Sequence, residues 1–383
     1  MDQFLCIDCV KEKELNNLIL SKGEKAVCSL CKKQNDLVIN CNDLELKNLF
    51  NTLVRFHYSQ WEYDHHLGGE DIRSLFNTEN PIFNSWVPVE TEDADDLWNL
   101  VDELLTYENY DENKSVYIFS DYPYVAIKND YCKKIDKIGY QIEDKNYYEL
   151  EKDVIEILAG IISDVNVVVS AGRHYYRARI GYQKKGVPIV GEWSPKPHYL
   201  PYKDKLIGRV PPPLAKNGRM NRQGVSFLYV ASDSDTALAE VRPHPGQYVS
   251  IGKFVSNKSL RIADFTNIKI KNYCSQHKIQ DLITLQTINE LFSRPVPNQM
   301  GGQYLITQLL ADAIRKLGYD GVGYKSSVGS GTNLAIFNPS FFKYTEEDTN
   351  VVYIKEVKCL YDNCTIMEEN KDDYYMFYNY KEY

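Results

Sequence analysis

Apolar residues recur at helical spacing over residues 42–57, 95–107 and 148–162, which predicts three amphipathic helices. Between the last two, Val116-Tyr117-Ile118-Phe119 reads as a short strand or a buried turn. Residues 41–165 are therefore expected to form a mostly helical domain. The period changes near residue 166. Val167-Val168-Val169, His174–Ile180 and Phe227–Ala231 read as strands. Pro211-Pro212-Pro213 and the stretch Gly218–Gly224 mark a loop between them. A short helix ending at Pro243 follows, then strands near 248–255 and 260–264, and helices near 281–293 and 301–317. Strands near 320–324 and 333–338 come next, and Val351–Leu360 predicts one more. Short strands mixed with helices, without βαβ regularity, give an α+β domain over 166–345. Residues 346–383 are left as a C-terminal strand and a tail rich in tyrosine (Tyr374, Tyr375, Tyr378, Tyr380, Tyr383).

A chain of 383 residues is too long for one ordinary core and favours two or three units. No apolar run is long enough to span a bilayer, and Met1-Asp2-Gln3 opens no signal-peptide pattern, so no membrane partner and a cytoplasmic location are expected. The formal net charge of -9 argues against an extended nucleic-acid surface, though it leaves room for a small basic site. Nine cysteines, an odd number without a secretion signal, disfavour a disulfide framework. Whether the chain forms a homo-oligomer is not legible.

Four of those cysteines are organised. Cys6-x-x-Cys9 and Cys28-x-x-Cys31 sit at the interval of a two-knuckle zinc site, which predicts a zinc knuckle over 1–40. Four thiolates fill a tetrahedron and leave no open position, so such a Zn2+ would be structural. The alternative is four unrelated thiols.

The strand around residue 175 places Arg173, Tyr175, Arg177 and Arg179 on one face by alternation. Guanidiniums so aligned repel each other unless an anion lies across them, and their planar forks suit phosphate oxygens. A pyrophosphate cradle and a solvated strand face both fit. Gly218-Arg219-Met220-Asn221-Arg222-Gln223-Gly224 has a glycine at each end and polar residues between, as a tight ligand loop or a plain surface turn would. In Ser232–Pro243, Asp233 or Ser234 is a good N-cap and Pro243 forces a stop. Glu240 then falls in the last helical turn, where the dipole disfavours a carboxylate. It serves either a function or a salt bridge to Arg219 or Arg242. Ser326 stands at a strand end before a Gly/Ser loop, placed to bind a phosphate or a ribose hydroxyl, or simply to begin a hairpin loop. No GxSxG elbow surrounds it, which argues against a hydrolase nucleophile.

Three stretches together resemble the RES-domain family, named for its Arg, Glu and Ser. They are YYRARIG (175–181), GRMNRQGVSFLYVASDSDTALAEVRP (218–243) and YLITQLLADAIRKLGYDGVGYKSSVGSGTNLAIFNP (304–339). The resemblance implies an ADP-ribosyltransferase-like fold, NAD+ as substrate, and a bacterial toxin or defence effector that drains NAD+ with phosphate or water as acceptor. Transfer of ADP-ribose to a protein or nucleic acid is the alternative, and a non-enzymatic zinc-ribbon adaptor a further one. It implies catalytic roles for Glu240, Arg177, Tyr229 and Ser326, and NAD+ binding by Arg177, Arg219, Arg179, Asn221 and Asn333, with Ser327 a possible one-residue slip from Ser326. An antitoxin or other regulatory partner is implied as well. The preceding 165 residues resemble the zinc-knuckle and helical, HEPN-related extension of some RES proteins. The Arg–His spacing of HEPN ribonucleases is not met: His57 is too close to Arg55, and His65 and His66 are too far.

Overall fold

The computed structural model describes residues 2–77, 79–85, 94–105, 114–142, 144–188, 196–295 and 304–358. Packing divides the chain into two units. One is Met1–Asp144 with Asn267–Leu291, the other Lys145–Thr266 with Phe292–Tyr383. This division differs from the boundaries expected at 40, 165 and 345. The helix near 148–162 packs with the second unit, and 267–291 packs with the first. Helical periodicity reveals that a face is buried, not what buries it.

In the first unit, β1 (Phe4–Cys6), α1 (Lys13–Lys22), β2 (Glu24–Val27) and β3 (Gln34–Asn40) form a small antiparallel sheet of order β1-β3-β2 with one helix. Then come α2 (Leu44–His57), α3 (Gln60–Tyr63), α4 (Ala94–Leu104) and α5 (Lys133–Gln141). α2 begins where the Asp43 carboxylate accepts the Leu46 N–H at 3.0 Å, satisfying a donor the helix itself leaves free. Its apolar stripe buries Leu46, Leu49, Phe50 and Leu53 completely or nearly so. The Phe50 ring stacks on Phe76 at 5.7 Å and tilts against Phe83 at 6.0 Å. Each such side chain contributes roughly 1.5–3 kcal/mol by leaving water. Val116 and Ile118 are buried, but residues 116–119 form no strand.

The second unit holds α6 (Tyr147–Ile161), β4 (Asn166–Val169), β5 (His174–Ile180), β6 (Lys184–Gly186), β7 (His198–Leu200), β8 (Leu228–Ala231), α7 (Ser234–Glu240), β9 (Tyr248–Ser256) and β10 (Leu260–Asp264). After α8 (Ile279–Ser293), which leaves the first unit after Leu291, come α9 (Leu305–Lys316), β11 (Gly321–Lys325), β12 (Thr332–Ile336) and β13 (Phe342–Tyr353). Eight strands make one mixed sheet of order β13-β9-β5-β8-β12-β11-β10-β4, in which only β10 and β11 run parallel. This is the α+β architecture expected. β13 begins earlier than residue 351 and ends at Tyr353. The tyrosine-rich tail lies outside the described residues.

Side-chain alternation gives the sheet two faces with different tasks. Tyr175, Leu228, Val230, Phe254, Leu334 and Ile336 share one face with Ile207. Ala178, Ala231, Val249 and Ile251 share the other with Ala237 of α7. The small alanines let α7 lie close to the sheet, and that fixes where the end of α7 falls. α6 is bound to α9 by Tyr147, whose hydroxyl donates to Asp312 at 2.8 Å, and by an ion pair between Lys316 and Glu151.

Candidate functional site

α7 starts at Asp233, whose Oδ1 accepts the Thr236 N–H at 2.7 Å, and stops at Glu240, before Pro243. Glu240 is exposed at its end. Its Oε1 accepts two hydrogen bonds, one from Ser326 Oγ at 2.7 Å and one from Asn333 Nδ2 at 2.7 Å. Neither Arg219 nor Arg242 pairs with it. Oε2 has no partner among the described residues. The carboxylate is therefore fixed by one oxygen and offers the other.

Ser326 and Asn333 reach Glu240 because the β11–β12 pairing brings them together. Tyr324 is opposite Asn333 and Lys325 opposite Thr332, after which Ser326 N–H donates to Gly331 O at 3.1 Å. Ser326 Oγ also accepts the N–H groups of Val328 at 3.2 Å and Gly329 at 2.9 Å. With its proton given to Glu240 and its lone pairs filled, this hydroxyl is a positioned donor and not a nucleophile. Ser326, rather than Ser327, is the residue that touches the carboxylate.

Arg219 lies on the same side of the sheet, 5.9 Å from the centroid of the Tyr324 ring. One guanidinium nitrogen donates to Phe292 O at 2.7 Å and Arg294 O at 2.6 Å. Its Nε and second amino group make no hydrogen bond among the described residues. The loop that carries it is held from several sides. Asn221, 6% exposed, donates to Lys216 O at 3.0 Å, Arg222 O at 3.2 Å and Val225 O at 2.9 Å. Tyr229 OH donates to Asn221 Oδ1 at 2.7 Å and accepts the Met220 N–H at 3.2 Å. From α9, Gln308 donates to Gly218 O at 2.9 Å and Thr307 donates to Arg219 O. Asn221 is thus an internal staple of the loop. Burial raises the Tyr229 and Tyr324 phenols above their ordinary range, so both stay neutral. Sequence reasoning missed Tyr324 and the Thr307–Gln308 pair. The β11 alternation and the start of an amphipathic helix were visible, but not that both converge on residue 219.

Arg177 is placed otherwise. It pairs with Gly252 in register, one position from Tyr176 and Ala178, so its side chain leaves the sheet on the Ile207 face, away from α7. Its Nε donates to Ile207 O at 3.0 Å and one terminal nitrogen to Tyr229 O at 2.7 Å. Burial, then Arg179, pulls it down to about 10. β5 meets β8 in register only at Tyr176 and Ala231, and the guanidinium caps the Tyr229 carbonyl beyond that point. Arg179 is exposed, donates to Leu206 O and lies 5.3 Å from the Tyr202 ring centroid. The arginine strand therefore brings neither side chain to Glu240.

In the first unit the Cys6, Cys9, Cys28 and Cys31 Sγ atoms lie within 4.8 Å of one another, a group able to hold one metal ion. Cys6–Cys9 is 3.5 Å, Cys6–Cys31 3.7 Å and Cys9–Cys28 3.7 Å. A tetrahedral thiolate site with metal–sulfur bonds of about 2.3 Å has sulfurs about 3.8 Å apart, and the observed spacing fits. Burial drives the Cys6 thiol up to about 12, whereas the hydrogen bond from Cys9 draws Cys28 down to about 5. Arg55 and His57 are engaged by different partners. The Arg55 guanidinium donates to Tyr117 O at 2.8 Å and stacks 3.3 Å from the Tyr124 centroid, while the His57 ring packs on Phe56.

Comparison with known proteins adds a match over part of the chain. The family model described as RES domain matches residues 192–355, less than half of the chain. The match contains Arg219, Asn221, Tyr229, Glu240, Ser326 and Asn333, and excludes Arg177, Arg179 and the four cysteines. It starts later and ends later than the expected span of 166–345. A solved structure, the M. tuberculosis MbcT-MbcA toxin-antitoxin complex, is similar at 12% identity and a TM-score of 0.30, over 52% of this chain and 93% of that one. That likeness is too weak to define the fold. No curated protein matches.

Two outcomes follow from this geometry. Tyr229→Phe leaves the buried Asn221 Oδ1 and Met220 N–H without their partner, and should cost about 1–3 kcal/mol in urea denaturation. Burial also pushes His57 from its ordinary 6.5 down to about 4. The unfolded chain then binds a proton that the folded chain refuses, so stability is full above pH 6.5 and falls as pH drops towards 4. The wild type should lose more stability than His57→Gln between pH 7 and pH 5.

Proposed function

We propose, from the match of residues 192–355 to the RES-domain family model, that this chain is an NAD+-degrading enzyme that breaks the bond between nicotinamide and ribose. The observation that carries the reading is Glu240, held at Oε1 by Ser326 and Asn333 with Oε2 open. Nicotinamide in NAD+ is already cationic and departs with the bonding electron pair as a neutral pyridine. No general acid is required, so one carboxylate suffices where most glycosidases use two. Positive charge then grows on the ribose carbon and ring oxygen. A carboxylate fixed in advance stabilises that charge more than it stabilises the substrate, either directly or through the ribose hydroxyls that Oε2 would accept.

Arg219 supports the second requirement, a grip on the pyrophosphate. One nitrogen is anchored on the Phe292 and Arg294 carbonyls, and the remaining donors, unpartnered among the described residues, would serve anionic oxygens. Arg177, committed to carbonyls on the far face, is assigned to positioning Tyr229 rather than to phosphate. Tyr229 and Tyr324 would wall the nicotinamide side with their rings. Asn333 serves by fixing the carboxylate. Inorganic phosphate as acceptor forms a carbon–oxygen bond as the carbon–nitrogen bond breaks and yields ADP-ribose-1″-phosphate, whose new monoester loses its proton near neutral pH. Water yields ADP-ribose and releases one proton. The reading extends to a toxin acting on the cytoplasmic NAD+ pool under control of an antitoxin partner, on an ADP-ribosyltransferase-like fold.

The cysteine quartet is assigned to a structural Zn2+. Its all-sulfur donor set and tetrahedral spacing suit that ion, and no ligand position remains for catalysis.

Incubating the pure protein with NAD+, with and without phosphate, should release nicotinamide, and mass spectrometry should identify the second product. Glu240→Gln should slow release by roughly 100-fold or more. Absence of release under every condition contradicts the proposal, and label transferred to macromolecules in a lysate would make the chain an ADP-ribosyltransferase instead. Metal analysis should find one zinc per chain, lost in Cys9→Ser while nicotinamide release is retained in the folded fraction.

A further inference from the structure

The β11–β12 loop carries Ser326, and the other end of α7 holds that loop. Asp233 does more than cap the helix. Its Oδ2 accepts the hydroxyl protons of Ser232 at 2.7 Å and Thr236 at 2.8 Å. With their protons so directed, both hydroxyls turn lone pairs towards the loop. Thr236 Oγ1 accepts the Gly331 N–H at 3.0 Å, and Ser232 Oγ accepts the Thr332 N–H at 3.0 Å.

Capping needs only Asp233 Oδ1. The second oxygen, the two hydroxyls and the two loop amides are surplus to it. Thr236 is 1% exposed, so water cannot take its place between Asp233 and Gly331, whereas Ser232 at the rim is exposed. The fit is also close. A Cβ on Gly331 would overlap Asp233 Oδ2, Ser232 Oγ and Thr236 Oγ1, and one on Gly329 would lie 3.0 Å from Thr236 Cα. The seven-residue α7 therefore meets the loop twice, at its start through these hydroxyls and at its end through Glu240 and Ser326.

We infer that Ser232, Asp233 and Thr236 form a positioning clip that sets Ser326 and Asn333 against Glu240. They touch no reacting atom and act through the loop. The inference rests on the proposed NAD+ cleavage for its catalytic consequence, since a carboxylate displaced by about 1 Å loses on the order of 100-fold in rate.

The test compares Thr236→Val with Thr236→Ser in the full chain. Valine keeps the shape and removes the acceptor, whereas serine keeps the hydroxyl. Thr236→Val should speed amide hydrogen exchange across 326–333 at least ~10-fold and lower kcat at least ~10-fold, with KM for NAD+ within about threefold. Thr236→Ser should stay near wild type in both. Should Thr236→Val fail to fold, Ser232→Ala provides the same comparison at Thr332. Unchanged loop exchange overturns the clip, as does faster exchange with kcat intact. A wild type that releases no nicotinamide defeats the proposed activity instead, and loop exchange still decides the clip.

Discussion

A carboxylate at the end of a helix faces the negative pole of the dipole, at a cost of about 0.3–1 kcal/mol. Glu240 occupies that position, and two neutral donors on the same oxygen compensate. Both donors offset that cost without a cation. This constraint shapes the surrounding structure. A guanidinium partner would have neutralised the charge, whereas a hydroxyl and an amide hold it in place and leave it intact. The β11–β12 pairing, the tight loop after Ser326 and the alanine-lined seat of α7 all serve to keep three side chains in register.

The two sheet faces divide the arginines accordingly. Arg219 reaches the Glu240 side on a loop braced by Asn221, Tyr229, Thr307 and Gln308. Arg177 lies on the other side, where it ties the Tyr229 carbonyl at the end of the β5–β8 pairing to the Ile207 carbonyl of a turn. Both guanidiniums hold main-chain carbonyls, but on opposite faces of the sheet, and only Arg219 lies beside Tyr324 on the Glu240 side.

Much of this was legible in the sequence. The span of α7, with Asp233 as cap and Glu240 in the last turn, follows from capping and proline rules, and the strand positions from alternation. The cysteine spacing predicted a cluster that the fold brings together. The small sheet of residues 4–40 and α5 were not anticipated, since short elements leave little periodic signal. The role of Arg177 was hidden for a different reason: alternation correctly grouped it with Tyr175, but cannot say which face of a sheet receives a helix. Asn221 read as a ligand residue because a polar side chain in a glycine-bounded loop looks alike whether it faces outward or staples its own backbone.

The most direct measurement is a crystal structure of Glu240→Gln with NAD+ bound. The account predicts the nicotinamide ribose against residue 240, on the side of Ser326 and Asn333, with the pyrophosphate on Arg219. A dinucleotide seated on the Ile207 face beside Arg177, with residue 240 facing empty solvent, would contradict it.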